Sequence, residues 1–244
     1  MPRGLPDYGI PQYAQATTSI DLATLFLAQT GIASVDGKGR ILYADNFHAG
    51  LAGFMLYKEG NASLAYPSST NCYIPPLSAG FNPGTYSGAG RSWLYKWVAL
   101  PDTERVGLEA VFGIINGNNL MYSLMLDYGY SDNSEYNYTL RWYTDTGKVS
   151  ITVNEIEVQI GSYIISVNGP VYIPVKLVGN ISTGKYDHVL VGNKGYNLTS
   201  YNANIRALTA PGVVLASIGG GGVQSSTVGD YGRIGYMILT VDEP

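Results

Sequence analysis

From residue 91 onward, apolar side chains return at every second position in short blocks, and the breaks between blocks are polar or glycine-rich. That period places alternate residues on opposite faces of an extended chain. "RSWLYKWVAL" (91–100) shows it well, with Trp93, Tyr95 and Trp97 on one side and Leu94, Lys96 and Val98 on the other. The same pattern predicts strands over 106–115, 119–130, 137–144, 148–153, 155–160, 163–167, 171–178, 186–192, 195–199 and 231–241, with an earlier one at 41–47. Strands with turn signals every eight to twelve residues or so indicate a sandwich or barrel. Helical periods are missing between them, which excludes βαβ alternation.

Ahead of this body the pattern changes. Residues 1–17 are rich in Pro, Gly, Gln and Tyr and read as an extended arm. In "TTSIDLATLFLAQTG", Thr18 and Asp21 have capping-box spacing, Ile20, Ala23 and Leu27 share a face, and Gly31 falls where a helix stops. One short helix is predicted over 19–30. Leu22, Leu25 and Phe26 make it apolar on its flank as well, so it calls for a cover. The expected organisation is an arm and helix over 1–40 and one body over 41–244. Residues 60–90, with Pro67, Pro75, Pro76 and Pro83, read as a loop-heavy excursion with at most short strands. "GGGG" (219–222) reads as a flexible turn.

Composition sharpens this. Charged residues make up 13% of the 244, well below the usual level of about 25%. The 31 Gly and 21 Tyr suit turns and strands. A net charge of -4, with no Lys/Arg cluster, argues against a nucleic-acid partner. No apolar run is long enough for a membrane-spanning helix, and "MPRGLPDYGIPQYAQ" lacks the apolar region of a secretory leader. Cys72 has no partner for an internal disulfide, and with His48 and His188 it lacks metal-ligand spacing.

Several stretches resemble the concanavalin A-like jelly rolls. "ILYADNFHAGLAGF" is similar to their first strand, with its D-x-F element before a Gly-rich turn. "YIPVKLVGNISTGKYDHVLVGNKGYNLT" resembles their late hairpins, and "YGRIGYMILTV" their final strand. The resemblance implies an all-β, antiparallel jelly-roll sandwich over about 41–241. Lectins, glycoside hydrolases, laminin G-like modules and viral structural domains share that fold, so it does not choose a function. The arm and helix ahead of the body look like the architecture of phage particle proteins.

Candidate chemistry is sparse. Glycosidases need paired carboxylates. "NEIEVQ" offers Glu155 and Glu157 on one strand face, with Glu109 and Asp127 elsewhere, but it lacks the E-x-D-x-E run the resemblance would imply. Asp187 and His188 are adjacent, so in a regular strand they point to opposite faces. "DYGYSDNSE" supplies the hard oxygen ligands Asp127, Asp132, Asn133 and Glu135, which makes calcium the one candidate cofactor. Asn118 and Asn119 of "NGNN", with Tyr128, Tyr130 and Trp142, are the candidate sugar-binding residues. Four N-x-[ST] sequons occur, at Asn61, Asn137, Asn180 and Asn197. Asn180, Asn193 and Asn197 read as turn-formers.

These observations favour a non-enzymatic structural subunit of a virion or similar extracellular assembly. It would form homo-oligomers and touch other particle proteins, but neither nucleic acid nor membrane. Tyr8, Tyr13, Ile20, Leu22, Leu25, Phe26 and Leu27 are its candidate subunit contacts. The alternative is a carbohydrate-binding module for adhesion or host recognition, and the third is a glycoside hydrolase. Deleting residues 1–31 separates the first two. Light scattering should show loss of assembly with a folded body if the chain is a structural subunit, whereas a lectin keeps its sugar.

Overall fold

The computed structural model describes residues 38–73, 77–82, 90–115, 119–131, 134–165, 170–207, 213–223 and 232–244. The arm, the expected helix and the seven candidate subunit contacts lie outside the described residues. Sixteen strands are described: β1 (Arg40–Asp45), β2 (Met55–Glu59), β3 (Tyr66–Ser68), β4 (Ser78–Phe81), β5 (Arg91–Ala99), β6 (Arg105–Ile114), β7 (Leu120–Ser131), β8 (Ser134–Tyr143), β9 (Lys148–Val153), β10 (Ile156–Ser162), β11 (Val171–Asn180), β12 (Lys185–Val191), β13 (Lys194–Asn197), β14 (Asn204–Ala207), β15 (Val213–Gly222) and β16 (Gly232–Val241). They form two antiparallel sheets. Sheet A runs β13-β12-β11-β6-β16-β4-β3, with β1 also on β16; sheet B runs β10-β9-β8-β7-β15-β5-β2, with β14 on β8. This is the all-β sandwich that the alternation indicated, with the antiparallel jelly-roll form that the resemblance implied.

Alternation explains the core. The inward rows are Val106, Leu108, Ala110, Phe112 and Ile114 on β6, Leu120, Tyr122, Leu124 and Leu126 on β7, and Val175 and Leu177 on β11. Three buried tyrosines tie the layers together. Tyr122 of sheet B donates to the Gly113 carbonyl of sheet A at 2.6 Å. Tyr138 of sheet B donates to the Asn180 carbonyl of sheet A at 2.8 Å. Tyr186 of sheet A donates to the Thr152 carbonyl of sheet B at 2.8 Å and accepts from the Thr139 amide at 2.8 Å. A buried hydroxyl left unpaired costs about 1–3 kcal/mol, so each bond favours one position of one sheet over the other.

Two expectations need correction. Residues 163–165 lie outside the strands, and residues 166–167 of that predicted strand are not described. The glycine tract is no turn: Gly219–Gly222 end β15, a strand held between β5 and β7. Its glycines make room for aromatic rings. A Cβ on Gly220 would lie 2.1 Å from Phe81, and one on Gly232 2.0 Å from the same ring. A Cβ on Gly219 would lie 2.6 Å from Trp93. Phe81 in turn meets Tyr122 edge-on, with ring centres 5.8 Å apart. The sequence shows the missing side chains but not the rings that fill their places.

Gly220→Ala should therefore destabilise the protein by about 1–3 kcal/mol, the usual cost of overpacking a core. Denaturant midpoints would measure it. Combined with Phe81→Ala, the two losses should sum to less than their separate values, because the second change removes the clash.

Candidate functional site

The outer face of sheet B holds the exposed aromatic residues that strand alternation predicts. β5 places Trp93, Tyr95 and Trp97 there, and β2 pairs Tyr57 with Trp93 and Met55 with Tyr95. Trp93 stacks on Tyr95 with ring centres 6.2 Å apart, and Tyr57 meets Tyr95 edge-on at 6.3 Å. Trp97, Tyr57 and Met55 are 39%, 48% and 50% exposed. Where β2 stops and β5 continues, an open groove of about 270 Å³ runs between Ala52–Met55 and Tyr95–Trp97. Beneath it the Lys96 ammonium donates to the Gly53 carbonyl at 2.9 Å and sits 5.0 Å over the Tyr43 ring.

Moving across the sheet, β15 carries Leu215, Ser217 and Gly219 on this side; Leu215 is half-buried, Ser217 is buried and Trp93 lies over Gly219, and then the face turns polar. Asn137 donates its amide to Asp127 Oδ1 at 2.5 Å. The Asn137 carbonyl oxygen accepts from Thr139 at 3.0 Å and from Asn204 at 3.3 Å. Asp127 is 6% exposed. Burial pushes its carboxyl up to about 6; the nearby Glu135 adds to this, and the Asn137 bond and Arg206 oppose it. Ser217 Oγ and Thr152 Oγ1 are buried with no hydrogen-bond partner among the described residues. Such groups cost about 1–3 kcal/mol each.

A second cluster sits further along the same face. Glu157 accepts from Arg141 at 3.0 Å, from Tyr143 at 2.9 Å and from Ser150 at 2.9 Å, and it pairs with Lys148. Burial alone would raise the Glu157 carboxyl, but the bonds from Lys148, Ser150 and Tyr143, with the Lys148 charge, hold it at about 2.

The structure separates most of the residues singled out from sequence. Asn118, Asp132 and Asn133 lie outside the described residues. Trp142 is 1% exposed, stacks on Tyr122 in the core and donates to the Tyr163 carbonyl, so it offers no face to a sugar. Tyr130 stacks on Tyr136 with centres 4.0 Å apart, and Tyr128 packs against the core. Asn119 precedes the start of β7, about 30 Å of strand from these tyrosines. Asp127 and Glu135 do share one region, although among the described residues no three His, Cys, Asp or Glu side chains gather as a metal site.

Glu155 does not share a strand face with Glu157. It falls in the tight turn between β9 and β10, where Asn154 and Glu155 take φ of 50° and 64°. Glu109 is on the outer face of sheet A, accepting from Tyr236 at 2.7 Å, so it shares no cleft with Asp127 or Glu157. Asp187 and His188 do meet, at 2.8 Å, because a register shift interrupts the pairing of β11 with β12 beside them. The sequence reading missed Tyr57, Met55 and Ser217. "MLYKE" alternates and could have been read as a strand, but the unpaired Ser217 hydroxyl has no sequence signal.

No protein-family model matches the sequence, and no curated protein matches it. Solved structures do match in fold. The carbohydrate esterase of the Shiga toxin-encoding bacteriophage phi24B superposes with a TM-score of 0.54 at 6% identity, over 84% of this chain and 100% of its own. The cellulose-induced protein Cip1 gives 0.50 at 9% identity, over 81% of this chain and 96% of its own. The chain has the concanavalin A-like jelly-roll fold.

Because the folded Glu157 carboxyl titrates below its ordinary 4.5, its ionised form stabilises the protein above that pH, and the contribution fades as pH falls toward about 2. Urea midpoints should show Glu157→Gln less stable than the parent at pH 7. The gap should shrink between pH 4.5 and pH 2.

Proposed function

We propose that this chain is a carbohydrate-binding protein that holds a saccharide on the outer face of sheet B. The observation that supports it is the strip of Tyr57, Tyr95 and Trp97, with Met55 beside it, standing next to polar rows on one sheet face. A sugar presents an apolar ring face and a rim of hydroxyls, and binding sites answer with apolar or aromatic surface and a few placed polar groups. The fold match to a phage carbohydrate esterase adds support of the same kind.

Binding without catalysis fits the carboxylates best, since Glu109 and Glu157 stand on opposite outer faces and Glu157 is engaged by Arg141, Lys148, Ser150 and Tyr143. The structural-subunit reading keeps one point of contact, a phage protein among the similar folds. The two readings join if a sugar-binding body is borne on a particle through residues 1–31, self-associated and outside the cell.

Trp97→Ala should weaken binding to an oligosaccharide at least tenfold, about 1.4 kcal/mol, without lowering the melting temperature, because Trp97 is exposed. Calorimetric titration against neutral glucan, mannan and galactan oligosaccharides would measure it. Unchanged affinity in both Trp97→Ala and Tyr57→Ala would overturn this placement of the site.

A further inference from the structure

At one place on the outer face of sheet B, an exposed ring, a half-buried floor and uncommitted polar atoms fall in register. Trp97 of β5 stands opposite Leu215 of β15, and Leu215 stands opposite Asp127 of β7. Asp127 stands opposite Asn137 of β8. One step along the strands, Ser217 lies between Tyr95 and Met125. Neighbouring strands are about 4.8 Å apart, so Trp97 and Asp127 flank Leu215 with about 10 Å between their strands. Leu215 is half-buried and Trp97 exposed, so wall and floor both reach solvent.

The polar side of this space has capacity to spare. Asp127 Oδ1 takes the Asn137 amide, and its other oxygen has no partner among the described residues. Ser217 is fully buried, and its hydroxyl has no partner among them either. An acceptor carboxylate and an unpaired hydroxyl beside an aromatic wall are complementary to one sugar ring: its C–H face to the wall, its hydroxyls to the oxygens. The charge nearby is unfavourable to anions. Glu135 acts on Asp127 with the same sign, opposed by Arg206. An acidic sugar would add a further carboxylate against a buried one.

We propose that Trp97, Leu215, Asp127 and Ser217 form a subsite for one unit of a neutral saccharide, and that Asp127 is the residue that excludes acidic sugars. This rests on the carbohydrate-binding reading above and adds the ligand class and the residue that sets it. Asp127 accepts a ligand hydroxyl at the oxygen Asn137 leaves free, and the buried Ser217 takes the neighbouring hydroxyl once a flanking side chain, Tyr95 or Met125, turns aside.

The test titrates the full-length chain with neutral glucan, mannan and galactan oligosaccharides and with oligogalacturonate. Asp127→Asn, Ser217→Ala and Trp97→Ala are run beside it, each checked for an unchanged melting profile. The expected parent binds a neutral oligosaccharide at least tenfold more tightly than oligogalacturonate. Asp127→Asn, which keeps shape and removes charge, should narrow that ratio to threefold or less, and Ser217→Ala should weaken neutral binding about tenfold at a similar ratio. A parent that prefers oligogalacturonate overturns the subsite. So does a neutral-binding parent that loses affinity in Trp97→Ala while Asp127→Asn and Ser217→Ala leave both affinities unchanged; sugar binding itself then stands. A parent that binds none of these glycans overturns both readings.

Discussion

Three tyrosine hydroxyls buried between the sheets constrain this fold more than any other group. Each sits where water cannot serve it, and each finds its acceptor on the main chain of the opposite layer: Tyr122 at Gly113, Tyr138 at Asn180 and Tyr186 at Thr152. A greasy core alone would tolerate small slips of one sheet over the other, since apolar contact has little direction. A hydroxyl bond does not, because it weakens steeply away from its preferred distance and angle. The rings behind those hydroxyls then set where neighbours stand. Tyr122 has Phe112 stacked 4.4 Å away, Trp142 at 5.8 Å and Phe81 edge-on. The layer offset and the aromatic stack are thus one constraint.

That constraint explains the glycine tract and, through it, the character of the outer surface. Phe81 needs the space over Gly220 and Gly232, while on the other side of β15 Trp93 lies against Gly219. With no side chain on Gly219, Trp93 lies close against β15 and is only 8% exposed, whereas Trp97, opposite Leu215, stays 39% exposed.

The period-two pattern made the body readable from sequence. β5 to β12 and β16 fall close to their predicted places because each has apolar residues in step over several positions. β15 was lost because glycine has no side chain to enter a hydrophobic pattern and is poor in strands on average. The sugar-site residues failed for a related reason. Alternation tells which residues share a face, but not whether that face is inside, and Trp142 belongs to the inner row of β8 while Trp97 belongs to the outer row of β5. Pairing register decides which residues become neighbours, and no local signal placed Ser217 and Asp127 together. The meeting of Asp187 with His188 depended on an irregularity that strict alternation excludes.

On the far layer, Lys176 sits fully buried on the outer face of sheet A, paired with Glu243 at 2.9 Å and reaching the Lys38 carbonyl at 3.4 Å. One ammonium thus gathers Lys38, where the described residues begin, and Glu243 near their end. Both lie on the side opposite the aromatic strip. Lys38 and Glu243 are thereby fixed to one point of the far layer, so a change at Lys176 would loosen both ends of the described body at once.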